Sequence, residues 1–199
     1  MFTLITMVIG RAGLSGVFLL MLVENLLPFI PSELILPLAG YEAAQGRFHP
    51  VLAVLAGGLG SSLGGAAWYA VGRRIGGERL ERFARRHGRW LGLSPAEVRR
   101  ATVWFNRRGA LAVCIGRMLP GVRAVICIPA GVAKMPLPSF LLWSSLGAFA
   151  WSALLVAAGM MLGAHYGQID RWMNPLVDAL IVVAVLLYGV RVITYKPRP

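Results

Sequence analysis

The apolar and polar positions of this chain separate into long uncharged runs and one long basic stretch. Val51 to Gly72 holds 22 residues without a charged side chain, and Met135 to Tyr166 holds 32. A helix needs about 20 apolar residues to cross roughly 30 Å of hydrocarbon. These runs therefore predict membrane spans over 51–72 and 138–164, with a first span over 12–30 and a last one over 175–195. Two further apolar stretches, 31–45 and 109–135, are broken by proline and glycine into pieces too short to cross. Irregular backbone at membrane depth survives only where protein or water surrounds it, so both are read as re-entrant helical hairpins. Pro31, Ser32 and Gly40 shape the first, and Pro120, Gly121 and Gly131 the second. The expected fold class is an all-α polytopic membrane protein forming one domain over 1–199.

An internal repeat supports the paired hairpins. Ser61-Ser62-Leu63-Gly64-Gly65-Ala66-Ala67-Trp68 and Ser144-Ser145-Leu146-Gly147-Ala148-Phe149-Ala150-Trp151 agree at six of eight positions, and Gly76 and Gly159 each follow eight residues after the tryptophan. Upstream, Pro37-Leu38-Ala39-Gly40 is echoed by Pro129-Ala130-Gly131. Each unit is a hairpin followed by a span, and the two spans run in opposite senses, which makes the repeat inverted. Inverted repeats with discontinuous segments meeting near the midplane mark many secondary transporters.

The polar stretch changes the picture in two ways. Residues 73–108 contain eleven arginines against Glu78, Glu81 and Glu97, which by the positive-inside rule makes them cytoplasmic. Arg191, Lys196 and Arg198 place the carboxyl terminus on the same side. Ser94-Pro95-Ala96-Glu97 combines an N-cap, a first-position proline and a capping-box glutamate, so a helix should start there and Gly109 can end it. Leu80 and Phe83, then Val98, Ala101, Trp104 and Phe105, form apolar stripes on two basic amphipathic helices suited to anionic inner-leaflet lipid.

Composition agrees: 57% hydrophobic residues with a net charge of +12 do not fit an ordinary soluble domain, nor does a mean hydropathy of +0.68. The arginines lie between apolar spans without a recognisable nucleic-acid-binding pattern, which argues against nucleic acid as partner. The amino terminus resembles a signal peptide, but no small-residue cleavage site precedes Glu24, so it is read as a retained span. Cys114 and Cys127 have no metal or redox spacing and are read as packing residues.

Four charges remain where lipid should be: Glu24, Glu33, Arg117 and Arg123. Each costs about 2.5–3.5 kcal/mol at a helix centre, so they call for a shared polar cavity. Arginine stays charged everywhere and its planar fork grips phosphate through paired donors, which makes Arg117 and Arg123 candidate phosphate-binding residues. Carboxylates in a low-dielectric cavity hold protons more readily than in water, and Glu24 and Glu33 are candidate coupling residues for protons or sodium. Alternatively the arginines pair permanently with the acids and hold the hairpins together. An intramembrane enzyme would need a nucleophile or metal cluster, yet His49, His87 and His165 fall in separate segments. No catalytic residue, metal or cofactor is assigned.

At this point the chain resembles the DedA family, also called the SNARE-associated or VTT-domain family, of bacterial inner-membrane proteins. The resemblance rests on Glu24, Pro31-Ser32-Glu33, Gly40-Tyr41, Tyr69 with Gly72-Arg73, Phe105 with Arg108-Gly109, Gly116-Arg117, Pro120-Gly121, Arg123, Pro129-Ala130-Gly131 with Met135, and Gly147 with Trp151. It implies a flippase for a phosphate-bearing lipid, undecaprenyl phosphate or phosphatidylethanolamine. It maps the family's acidic pair onto Glu24 and Glu33 and its arginine pair onto Arg117 and Arg123. The Pro-Ser-Glu form resembles the branch linked to undecaprenyl phosphate. A passive phospholipid scramblase and a membrane scaffold or assembly factor are the alternatives, and a homo-oligomer is compatible with all of them.

Overall fold

The computed structural model describes residues 2–27, 32–91, 95–120, 122–123 and 125–161. These form six helices and no strand. Three stretches, Ile5–Leu26, Pro50–Gly77 and Leu137–Met161, are long and apolar enough to cross a membrane. The expected last span over 175–195 lies outside the described residues.

Helix α1, Phe2–Leu26, is two helical pieces joined across a kink at Gly13 (φ 55°, ψ −130°), beside the expected start of the span at residue 12. Helix α2, Ser32–Ala44, contains Pro37, which cannot donate to the carbonyl of Glu33 one turn earlier. Its 13 residues extend only about 20 Å, short of a bilayer. Helix α3, Pro50–Leu91, continues from the predicted span into the basic stretch, with Gly76 at φ 68° breaking the helical path behind Arg73 and Arg74. Helix α4, Pro95–Arg117, starts at the predicted proline and is likewise two pieces joined across a kink, at Arg108, beside the expected end at Gly109. Short α5, Cys127–Val132, and α6, Leu137–Met161, complete the fold.

Which helices run together is written in glycine contacts, because only glycine lets membrane helices approach this closely. Gly10 of α1 lies beside Arg47, Gly60 against Phe18 and Leu22, and Gly64 against Asn25. Helix α1 therefore runs parallel to α3 and ends alongside its middle. The second half of α4 does the same on α6: Gly147 packs on Cys114 and Arg117, at the end of that arm. Helices α3 and α6 are antiparallel, with Gly57 facing Ser152 at one end and Tyr69 stacked on Phe140, centroids 4.3 Å apart, at the other.

The short helices cross over to the opposite unit. On α6, Gly40 of α2 meets the Val156 backbone, and Gly159 meets Pro37, three residues before Gly40. On α3, Gly131 of α5 meets the Tyr69 backbone, and Gly72 meets Ile128, three residues before Gly131. At all four glycines an added Cβ would overlap backbone atoms.

The apolar core accordingly has two parts. Ile9, Val17, Met21, Ile35, Leu36 and Val156 bury one end, while Tyr69, Phe105, Val113, Cys127 and Phe140 bury the other. Outward positions such as Leu55, Leu59, Leu63, Leu142, Leu146 and Leu154 are exposed leucines, the surface expected of helices that face lipid tails.

Candidate functional site

Polar side chains collect at the junction of the two core parts, where α1 and the second half of α4 end. Arg117, the last residue of α4, is 1% exposed, Arg123 4%, Glu24 5% and Asn25 0%. Burial this deep demands partners, since an unsatisfied charge in a low-dielectric interior costs several kcal/mol. Each of these residues has them.

Arg117 is held by neutral acceptors. Its Nη2 donates to the Ser61 carbonyl at 2.7 Å and the Ser61 hydroxyl at 2.9 Å. Its Nη1 donates to Asn25 Oδ1 at 3.2 Å and to the Arg123 carbonyl at 3.0 Å, with Cys127 Sγ at 3.9 Å. Asn25 Nδ2 in turn donates to Ser61 Oγ at 2.8 Å, and Trp68 Nε1 donates to the Asn25 carbonyl at 2.9 Å, tying down the end of α1. Gly65 supplies the floor: a Cβ there would sit 3.1 Å from Arg117 Nη1 and 3.2 Å from Cys127 Sγ.

Arg123 instead meets a charge. Its Nη2 forms a buried ion pair with Glu24 Oε1. Both partners keep unused bonding capacity, because Arg123 Nη1 and Glu24 Oε2 are buried without a hydrogen-bond partner, as is Arg117 Nε. Glu33 is half-buried in the first turn of α2. Two buried cations and one buried carboxylate, Glu24, thus lie together, a combination in which arginine forks can take an anion.

Of the predicted site residues, Glu24, Arg117 and Arg123 come together, and Glu33 lies half-buried in the first turn of α2. Ser32 is buried, its hydroxyl accepting from Trp151 Nε1 at 3.4 Å. Gly40 and Gly131 are at the helix crossings and Pro120 is exposed at the turn. Pro31 and Gly121 lie outside the described residues. Asn25, Ser61 and Cys127 were not predicted as site residues, and Cys127 is more than packing because its sulfur faces Arg117. Asn25 did carry a signal, as a polar neighbour of Glu24 in an apolar run, and Ser61 opens the repeated motif. Among the described residues no group of three or more His, Cys, Asp or Glu side chains is placed to hold a metal.

Comparison with known proteins places this geometry. No solved structure matches the chain. It is 33% identical, over 98% of both chains, to the undecaprenyl phosphate transporter A of Staphylococcus aureus. It is 28% identical to the protein of that name from Bacillus subtilis, over 92% of this chain and 89% of the relative. An alkaline phosphatase-like protein of Lactococcus lactis subsp. cremoris is 37% identical over 92% of this chain and 88% of its own. Residues 30–161 match the VTT domain, a stretch holding Glu33, both arginines and both helix crossings, and so the chain belongs to the DedA family of VTT-domain membrane proteins.

Proposed function

We propose that this protein is a flippase that carries a phosphate-bearing lipid, undecaprenyl phosphate in the first instance, across the bacterial cytoplasmic membrane for recycling. The names of the Staphylococcus and Bacillus relatives support the substrate. The observation that carries the reading is the buried meeting of Arg123 with Glu24 beside Arg117, at the ends of two helical arms that stop midway along α3 and α6.

In this reading α1 with α2, and the second half of α4 with α5, are two re-entrant hairpins. They enter from opposite faces and touch at their tips, so the units are inverted and the carboxyl terminus is cytoplasmic. The first hairpin then begins within α1, replacing a separate first span over 12–30. A lipid phosphate reaching the tips competes with Glu24 for Arg123, whose Nη1 has a donor to give. Arg117, clamped by Asn25 and Ser61, stays in place and supplies positive potential. Glu24, once displaced, is a bare carboxylate near Glu33, and a proton or sodium ion neutralises it. That exchange couples head-group movement to an ion gradient while the prenyl tail stays in lipid.

The test is leaflet-to-leaflet movement of labelled undecaprenyl phosphate in proteoliposomes, with labelled phosphatidylethanolamine in parallel. Arg123→Gln should slow undecaprenyl phosphate on the order of tenfold or more, the worth of a lost charge-assisted contact, and an imposed pH gradient should change the wild-type rate. Equal rates for Arg123→Gln and wild type would overturn the role of the arginine, and equal rates with and without pH or sodium gradients would remove the coupling. Lack of lipid movement by the wild type, with cellular activity retained after neutral substitution of all four charges, would favour a scaffold. Free phosphate measured in the same vesicles tests hydrolysis, the chemistry raised by the name of the Lactococcus relative.

A further inference from the structure

Two cations outside the buried cluster sit at backbone irregularities and line one cavity. Arg108 is the residue at which α4 leaves helical geometry, with φ −136° and ψ 18°. Lys134 has φ 55°, and among the described residues no other non-glycine side chain sits at positive φ. Its surroundings explain the angle. The Lys134 N–H donates to the Gly131 carbonyl at 2.9 Å and the Met135 N–H to the Ala130 carbonyl at 3.1 Å, which is the Schellman ending of α5 with Lys134 at the position that favours glycine. A lysine there is strained, and strain held at one residue points to a use for its side chain.

The cavity, about 360 Å³ in volume, is lined by Phe105, Arg108, Leu111, Lys134, Met135 and Ser139 among others. A second, of about 340 Å³, includes Tyr69, Arg73, Arg74 and Leu137, beyond the same turn between α5 and α6. Among the described residues, no lining residue of either is acidic. Arg73 is engaged in structure: its Nη1 donates to Tyr69 Oη at 2.7 Å and to the Met135 carbonyl at 3.4 Å, and Tyr69 Oη donates to that same carbonyl. This braces the turn that presents Lys134. The first cavity is therefore basic and apolar at once, and it lies where α6 begins, beside Arg108 of α4. From Arg108, α4 leads directly to Arg117, nine residues further on, or about 13 Å along a helix.

We propose that the Arg108–Lys134 cavity is a docking site for the phosphate head group of a single-chain phosphomonoester lipid, occupied before the head group passes along α4 to the buried arginines. This rests on the transport reading above. The apolar lining takes the first carbons of the tail, the two cations take the phosphate, and the sources separated by the test are a lipid head group and free phosphate.

The experiment titrates full-length detergent-solubilised protein calorimetrically with farnesyl monophosphate, farnesol and inorganic phosphate, and measures transport as a function of undecaprenyl phosphate content. Lys134→Gly removes the cation while relieving the backbone strain, so its melting temperature should equal or exceed that of wild type and a loss of binding is not a loss of folding. Lys134→Gly and Arg108→Gln should each weaken farnesyl monophosphate binding about tenfold, one charge-assisted contact. Both should raise the lipid content needed for half-maximal transport and keep the maximal rate.

Wild-type affinity in both variants would overturn the docking site, whatever Arg123→Gln does. Loss of affinity in both, with normal transport by Arg123→Gln, would uphold this site and remove the buried arginine from the mechanism. Farnesol binding as tightly as the phosphate ester, or inorganic phosphate competing at equal concentration, would overturn the assignment to a lipid phosphate.

Discussion

The crossing of α2 on α6 and the crossing of α5 on α3 use the same device with opposite charges nearby. In each, a glycine of the short helix and the residue three before it lock onto a glycine-bearing face of the long helix. The repeated motif adds a second correspondence, since Gly64 receives Asn25 and Gly147 receives Arg117. What differs is the ionised chemistry. The unit of α1 to α3 brings Glu24 and Glu33, and the unit from the second half of α4 to α6 brings Arg117 and Arg123. Packing at both crossings depends on small residues at fixed spacing, whereas the centre pairs opposite charges, because like charges brought to one buried point repel.

The comparison breaks most severely at the crossings. Gly40→Val and Gly131→Val force a side chain into backbone atoms of α6 and α3, where no rotamer change makes room. Overpacking costs typically 1–3 kcal/mol and more against rigid backbone, so both variants should lose at least about 3 kcal/mol or fail to accumulate. Thermal unfolding in detergent checks this, and equal losses would show that the two crossings carry similar weight.

Next comes the charge that distinguishes the halves. Glu24→Gln leaves Arg123 buried without its counter-charge, and breaking a buried pair by removing one partner costs about 3–5 kcal/mol. The double variant Glu24→Gln, Arg123→Gln should be more stable than the sum of the single changes predicts, which a double-mutant cycle in the same melting assay measures. Additive losses would mean that the two side chains act independently.

The smallest effect belongs to the clamp on Arg117. Asn25→Ala and Ser61→Ala each remove acceptors from a buried guanidinium, a loss of about 1–3 kcal/mol. Ser61→Ala should be the milder of the two, because the Ser61 carbonyl, at 2.7 Å, remains. Ser144→Ala, at the equivalent position of the other motif, serves as the comparison; the Arg117 guanidinium donates to Asn25, Ser61 and the Arg123 carbonyl rather than to Ser144, and removing that hydroxyl should change little.

Much of this was legible in the chain because it depends on local composition. Uncharged length marks the spans, and proline and glycine mark where a helix cannot continue. Glu24, Glu33, Arg117 and Arg123 stood out because a charge in an apolar run has no cheap explanation. Element limits were less legible. Gly109 reads as a stop and Ala12 as a start, and the chain kinks beside each, at Arg108 and Gly13, but a further helical piece continues on the far side of either kink.

The sequence by itself thus determined which segments are apolar, where the backbone is weak, and which charges require partners, since these follow from side-chain chemistry and near neighbours along the chain. Only the tertiary structure decided that α2 lies on α6 and α5 on α3, that Arg123 takes Glu24 while Arg117 takes Asn25 and Ser61, and that Arg108 and Lys134 line one cavity. Those choices join residues up to 122 positions apart, as where Gly159 meets Pro37. They are settled by how closely glycine faces let helices approach, which is a property of surfaces in contact and not of any one segment.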